Sequence, residues 1–162
     1  CPVMRIHGSR EPHEQIITKP GEEREWTGAD TEVWSFWEDN YPILVQYIQL
    51  REAMRDYTRE TMCEAHEKGE PVMRTLFYEF PEDAECWDIT DEYMFGSDLL
   101  IAPVVQPGAV SRTVYLPAGA TWTDMSDGKE YEGGRAYEID APIEKIPVFL
   151  RDGRQSGLIG KI

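Results

Sequence analysis

The chain has 162 residues, enough for one ordinary domain or for one small domain and part of another, and enough to bury a core. Sixteen Lys and Arg against 31 Asp and Glu leave a formal charge of −15, which repels phosphate backbones and anionic lipid heads and argues against nucleic acid or a membrane as partner. No apolar run approaches the roughly 20 residues of a membrane span, and three cysteines without CxxC spacing, Cys1, Cys63 and Cys86, point to free thiols of a reducing, cytoplasmic compartment.

"CPVMRIH" is a short apolar run after a proline and predicts a strand ending near His7 and Gly8. Residues 9–33 are polar, with Pro12, Pro20 and Gly21, and read as a long loop. From Asn40 to Lys68, Ile43, Tyr47, Leu50, Met54 and Tyr57 recur at steps of four and three, which places them on one face of a helix that stops at Gly69 and Pro71. "PVMRTLFYEF" then predicts a buried strand between Pro71 and Pro81. Strand, helix, strand is the crossover that builds parallel sheets, so the front reads as α/β. Beyond residue 96 the texture changes: "DLLIAPVV", "SRTVYLP", "ATWTDM", "RAYEID" and "PVFLRDG" are short β-rich runs between Pro- and Gly-bearing turns, the pattern of an antiparallel sandwich. Leu99, Ile101, Val114, Leu116, Ile139, Val148 and Leu150 are its expected core. The expected division is therefore 1–96 and 97–162.

Five strings in this order, "RIHGS", "GEPVMRTLFYEFPED", "DEYMFGSDLLIAPVV", "VYLPAGATWTDMSDGKEYEGG" and "PIEKIPVFLRDG", resemble the C-terminal part of glycoside hydrolase family 31, the α-glucosidases and α-xylosidases. The resemblance covers residues 3 to about 153 and is weakest over 12–33 and the tail. It implies that the front is the last quarter of a (β/α)8 catalytic barrel, incomplete by itself, followed by an all-β antiparallel sandwich. "CPVMRIH" would be the seventh barrel strand and "PVMRTLFYEF" the eighth. Active sites of such barrels lie at the C-terminal ends of the strands, where His7 falls.

The resemblance also implies that the histidine of the Arg-x-His motif hydrogen-bonds hydroxyls of the sugar being cut. His7 is the expected substrate ligand, and Arg5, two residues earlier on the same side of a strand, is expected beside it, more as a salt-bridging support than as a direct ligand. A retaining glycosidase needs a nucleophile and an acid/base carboxylate about 5 Å apart. In the family both are aspartates ahead of the Arg-x-His motif, so they are expected outside these 162 residues, and the chain alone is expected to be inactive. Asp88, Asp91 and Asp98 read as capping and surface acids. His13 and His66 have no partners at ligand spacing, so neither a metal nor a cofactor is expected. Trp26, Trp34, Phe36 and Trp37 flank the long loop and read as packing more than as sugar stacking. The expected partner is an oligosaccharide or glycoside, with self-association through unpaired strand edges as a further expectation. A competing reading makes the back half a non-catalytic carbohydrate-binding or structural module, which the burial of Trp122, Tyr131 and Tyr137 would discriminate.

Overall fold

The computed structural model describes residues 2–5, 15–16, 25–26 and 32–161, the two short pairs by their backbone alone. The chain divides into two units, one of Val3–Gln46 and one of Tyr47–Ile162 with Cys1–Pro2. In the first, β1 (Gln15–Ile16) pairs antiparallel with β2 (Glu25–Trp26), and a 3-10 turn covers Val33–Ser35. Trp34 and Trp37 are exposed. Residues 2–5 carry no strand, and His7 with most of the expected long loop lies outside the described residues.

The expected single helix is present as two, α1 (Tyr41–Ala53) and α2 (Arg55–Lys68), divided at Met54. Backbone bonds from Met54 N–H to the Leu50 carbonyl and from Thr58 N–H to the Met54 carbonyl carry the ladder through the division. Gly69 ends α2 at φ 75, a left-handed conformation in which its N–H reaches the Ala65 carbonyl. Along the expected stripe Leu50 and Tyr57 are buried, while Tyr47 and Met54 are partly so.

The second unit holds a six-stranded antiparallel sheet in the order β3-β4-β5-β10-β7-β8 and a two-stranded sheet of β6 and β9. The strands are β3 (Met73–Arg74), β4 (Tyr93–Phe95), β5 (Leu99–Ile101), β6 (Ser111–Leu116), β7 (Thr121–Asp124), β8 (Glu130–Glu132), β9 (Arg135–Asp140) and β10 (Val148–Arg151). The β-rich back half is thus a sandwich. "PVMRTLFYEF" is a correction to the sequence reading: only Met73 and Arg74 are strand, and Leu76–Glu79 form a short helix, α3. The reason lies in spacing. Leu76 and Phe80 are buried while Phe77 and Tyr78 are exposed; a strand would bury Tyr78 on the same face as 76 and 80, whereas one helical turn brings 76 and 80 together and turns 77 and 78 outward. β3 pairs antiparallel with β4, so the parallel crossover expected of the front is not formed by the described residues. The β4–β5 hairpin spans the expected 96/97 division, with Phe95 opposite Leu99.

The six-stranded sheet is covered on both faces. One face presents Met94, Leu100, Trp122 and Phe149 to Val114, Leu116 and Ile139 of the second sheet. The other presents Phe95, Leu99, Val148 and Leu150 to Leu50 and Tyr57 of the helices. This is why "LL" and "VFL" are apolar at consecutive positions, where a half-exposed strand would alternate. Each such side chain contributes on the order of 2–3 kcal/mol by leaving water. Of the seven expected core residues six are buried and Ile101 is half-buried.

Candidate functional site

Arg5 is exposed in the first unit. His7, the other member of the expected sugar-binding pair, lies outside the described residues. The described residues gather their buried charge in the second unit, at four clamps.

The first clamp is Glu79 of α3. Its two oxygens are shared between Arg74 Nη1, 2.8 Å from Oε2, and Arg151 Nη1, 2.8 Å from Oε1. Arg74 also donates from Nε to the Pro71 carbonyl, and the Arg151 guanidinium lies 4.7 Å from the centre of the Phe80 ring. A single carboxylate thereby fastens β3, α3 and β10.

The second clamp closes the β4–β5 hairpin on α2. The Tyr57 hydroxyl donates to the Phe95 carbonyl at 2.7 Å and accepts the Asp98 N–H at 3.1 Å. Gly96, at φ 60, leaves the space that this hydroxyl fills: a Cβ there would stand 2.2 Å from it. The Asp98 carboxylate accepts from Ser97 Oγ, Arg154 Nη1 and Gln155 Nε2. Burial alone would push this carboxyl up, but the bonds from Gln155, Ser97 and Arg154 outweigh it and hold it below the ordinary aspartate range.

The third clamp fixes residues 81–92, the segment between α3 and β4, to β6. Asp83 accepts from the Tyr115 hydroxyl and from the Ala118 N–H, and Glu92 accepts the Tyr115 N–H at 2.9 Å. Arg112 pairs with Asp91 at 3.0 Å and with Glu92 at 3.3 Å. Burial is the largest influence on the Glu92 carboxyl and, with Asp91 nearby, pushes it up to about 7 against the pull of the Tyr115 N–H and Arg112. In the fourth, Asp124 takes Lys145 Nζ at 2.9 Å on one oxygen and the Ser126 N–H and hydroxyl on the other.

Of the three linker acids, Asp91 and Asp98 sit in these clamps and the Asp88 N–H closes a 3-10 turn on the Glu85 carbonyl. Among the described residues no three His, Cys, Asp or Glu side chains gather as a metal site. Trp122 is fully buried with its Nε1 donating to the Pro117 carbonyl, and Tyr131 packs edge-on against both Tyr137 and Phe149. An exposed pair, Phe77 and Trp87, stacks at 4.9 Å and 17°, with Trp87 Nε1 donating to the Pro81 carbonyl.

Sequence reasoning passed over Arg74, Glu79, Glu92, Arg112 and Arg151. A usable signal was present: single charges set inside or against apolar runs, as in "PVMRTLF" and "VFLR", must find a partner if those runs are buried.

Comparison with known proteins follows the same sequence stretches. Residues 69–154 match the profile of the glycosyl hydrolase family 31 C-terminal domain. A solved α-xylosidase from a soil metagenome, complexed with xylose, shares 45% identity and a TM-score of 0.93, over 98% of this chain and 24% of that one. Alpha-glucosidase 2 of Bacillus thermoamyloliquefaciens is 38% identical over 122 residues, 75% of this chain and 15% of that protein. The α-xylosidase of Saccharolobus solfataricus is 30% identical over 161 residues, 99% of this chain and 20% of that protein. The chain thus spans a quarter or less of the length of each.

Proposed function

The chain belongs to glycosyl hydrolase family 31, and on that premise we propose that it is the C-terminal part of a retaining α-glycosidase that releases α-linked glucose or xylose from non-reducing ends. The observation that carries this reading is the correspondence along 98% of the chain with an α-xylosidase that binds xylose. In this reading the segment ahead of β3 supplies the end of a (β/α)8 barrel, and the sandwich buttresses it. His7 hydrogen-bonds the hydroxyls of the sugar at the scissile bond, with Arg5 supporting it. The nucleophile and the acid/base are aspartates of the whole enzyme outside these 162 residues, about 5 Å apart as double displacement requires, and no cofactor enters. Cys63 and Cys86 are free thiols, which accords with a cytoplasmic setting, and the isolated chain self-associates through its uncovered strand edges.

Hydrolysis of p-nitrophenyl α-xyloside and α-glucoside tests this. The full-length enzyme should turn over at least one of them, and the purified 162-residue chain neither. Turnover by the chain that a substitution within it abolishes would overturn the division of labour. In the full-length enzyme His7→Ala should lower kcat/KM on the order of 10- to 1000-fold with the melting temperature nearly unchanged. The competing reading, a module with no part in catalysis, takes its structural form from the buried Trp122 and the packed Tyr131 and Tyr137. It predicts unchanged kinetics for His7→Ala.

A further inference from the structure

β6 pairs with β9 along one edge, and its other edge has no strand beside it among the described residues. Side chains of residues 81–92 take the place of one. Glu92 Oε1 accepts the Tyr115 N–H, and Asp83 Oδ2 accepts the Ala118 N–H at 2.8 Å. We infer that this segment is a pH-gated cover on the outer edge of β6, closed while the Glu92 carboxyl is protonated and loosened when it ionises.

The geometry that carries this is the incomplete solvation of Glu92. Its side chain is 3% exposed, and Oε2 is buried with no hydrogen-bond partner. The charged and titratable groups facing it are Asp91 and Cys86 of its own segment and Arg112 of β6, while Tyr115 of β6 meets it through the backbone N–H and turns its hydroxyl to Asp83. Only Arg112 is cationic, and its donors are divided. Nη2 serves Asp91 Oδ2 at 3.0 Å as well as Glu92, and Nη1 serves the carbonyls of Asp91 and Pro103. An ionised carboxylate with one oxygen shut off from water and from every donor is costly, and a neutral one costs far less. Burial accordingly raises this carboxyl to about 7. In an opened cover water reaches both oxygens, and the group returns to the ordinary glutamate range of about 4.3. The closed state therefore binds a proton that the open state has released, so closure must weaken as pH rises. Between pH 5 and pH 8 the closing constant falls roughly 10- to 100-fold.

Hydrogen exchange at the two covered amides, Tyr115 and Ala118, reads this directly when each rate is divided by the intrinsic rate at that pH. In the unaltered chain their protection should fall about 10- to 100-fold from pH 5 to pH 8, and in Glu92→Gln it should stay level. Level protection in the unaltered chain, or an equal fall in the variant, overturns the inference. Should Glu92→Gln not fold, the carboxyl carbon of Glu92 in the unaltered chain decides the matter by NMR titration. A midpoint above pH 6 supports the cover and one near 4.5 overturns it.

Discussion

Asp98 and Glu92 are buried to nearly the same degree, 8% and 7% exposed, and stand at opposite ends of one short stretch of chain, yet their carboxyls are pushed in opposite directions. Asp98 has donors on both oxygens, from Ser97 and Arg154 on one and from Gln155 on the other. Glu92 has donors on one oxygen only. Desolvation is the first influence on both and is deeper at Glu92, whose side chain is 3% exposed against 11% for Asp98; the other difference is whether the protein rebuilds the hydration shell with its own N–H and O–H groups. A buried carboxylate is thus a stabiliser or a liability according to its count of donors, and the presence of a nearby arginine does not decide between them.

The most severe way to break this contrast is Arg112→Leu, which removes the single cation from the Glu92 site and leaves several carbonyls without a donor. A loss of about 3–5 kcal/mol is expected at pH 8 by denaturant titration, and a smaller loss at pH 5, where Glu92 can hold its proton. Glu92→Gln acts in the other direction. The folded-state carboxyl is raised above its unfolded value, so the folded chain binds more protons, and stability falls as pH climbs from about 4.5 to about 7 and is level above that. The amide cannot ionise, and the variant should gain about 2–3 kcal/mol at pH 8 and almost nothing at pH 4. Asp98→Asn should show the smallest effect and the reverse sign. The folded-state carboxyl is held below its unfolded value, so its stabilisation is present above the ordinary aspartate range and disappears as pH falls below it. A loss of about 1–2 kcal/mol is expected at pH 7, kept modest because Arg154 is half exposed. That loss should shrink toward pH 2. Parallel pH profiles for the two amide variants would show that donor count is not the deciding quantity.

The sandwich was legible in the sequence because turn residues punctuate it and because β6 alternates, with Val114 and Leu116 buried on either side of the half-buried Tyr115. What hid the double-sided burial of the large sheet was the shortness of the runs. Three consecutive apolar residues in "VFL" fit a helix, a buried strand or a half-buried one equally well. "PVMRTLFYEF" misled for a related reason, since its aromatic and β-branched content favours strand while the spacing of Leu76 and Phe80 favours a helical turn, and tertiary burial chose the latter. Of the expected site, Arg5 and His7 are found only through motif resemblance. A lone histidine at the end of an apolar run, with no second His or Cys at ligand spacing beside it, carries no signature by itself. The clamps escaped because their two halves lie far apart in the chain. Arg151 and Glu79 are 72 residues apart, and no local pattern links them.

β10 lies between β5 and β7 at the centre of the six-stranded sheet, although it follows every other strand in the chain. During synthesis the hairpins β4–β5 and β7–β8 can therefore form early, but they stay separate pieces, each with an unsaturated edge, until residues 148–151 have left the ribosome. A ribosome stalled before that point would expose both edges at once, and nascent chains arrested there should recruit chaperones or aggregate more than chains arrested late enough for Arg151 to have cleared the exit tunnel. Emergence of four residues turns two sticky hairpins into one sheet, which makes this short segment the commitment step of vectorial folding.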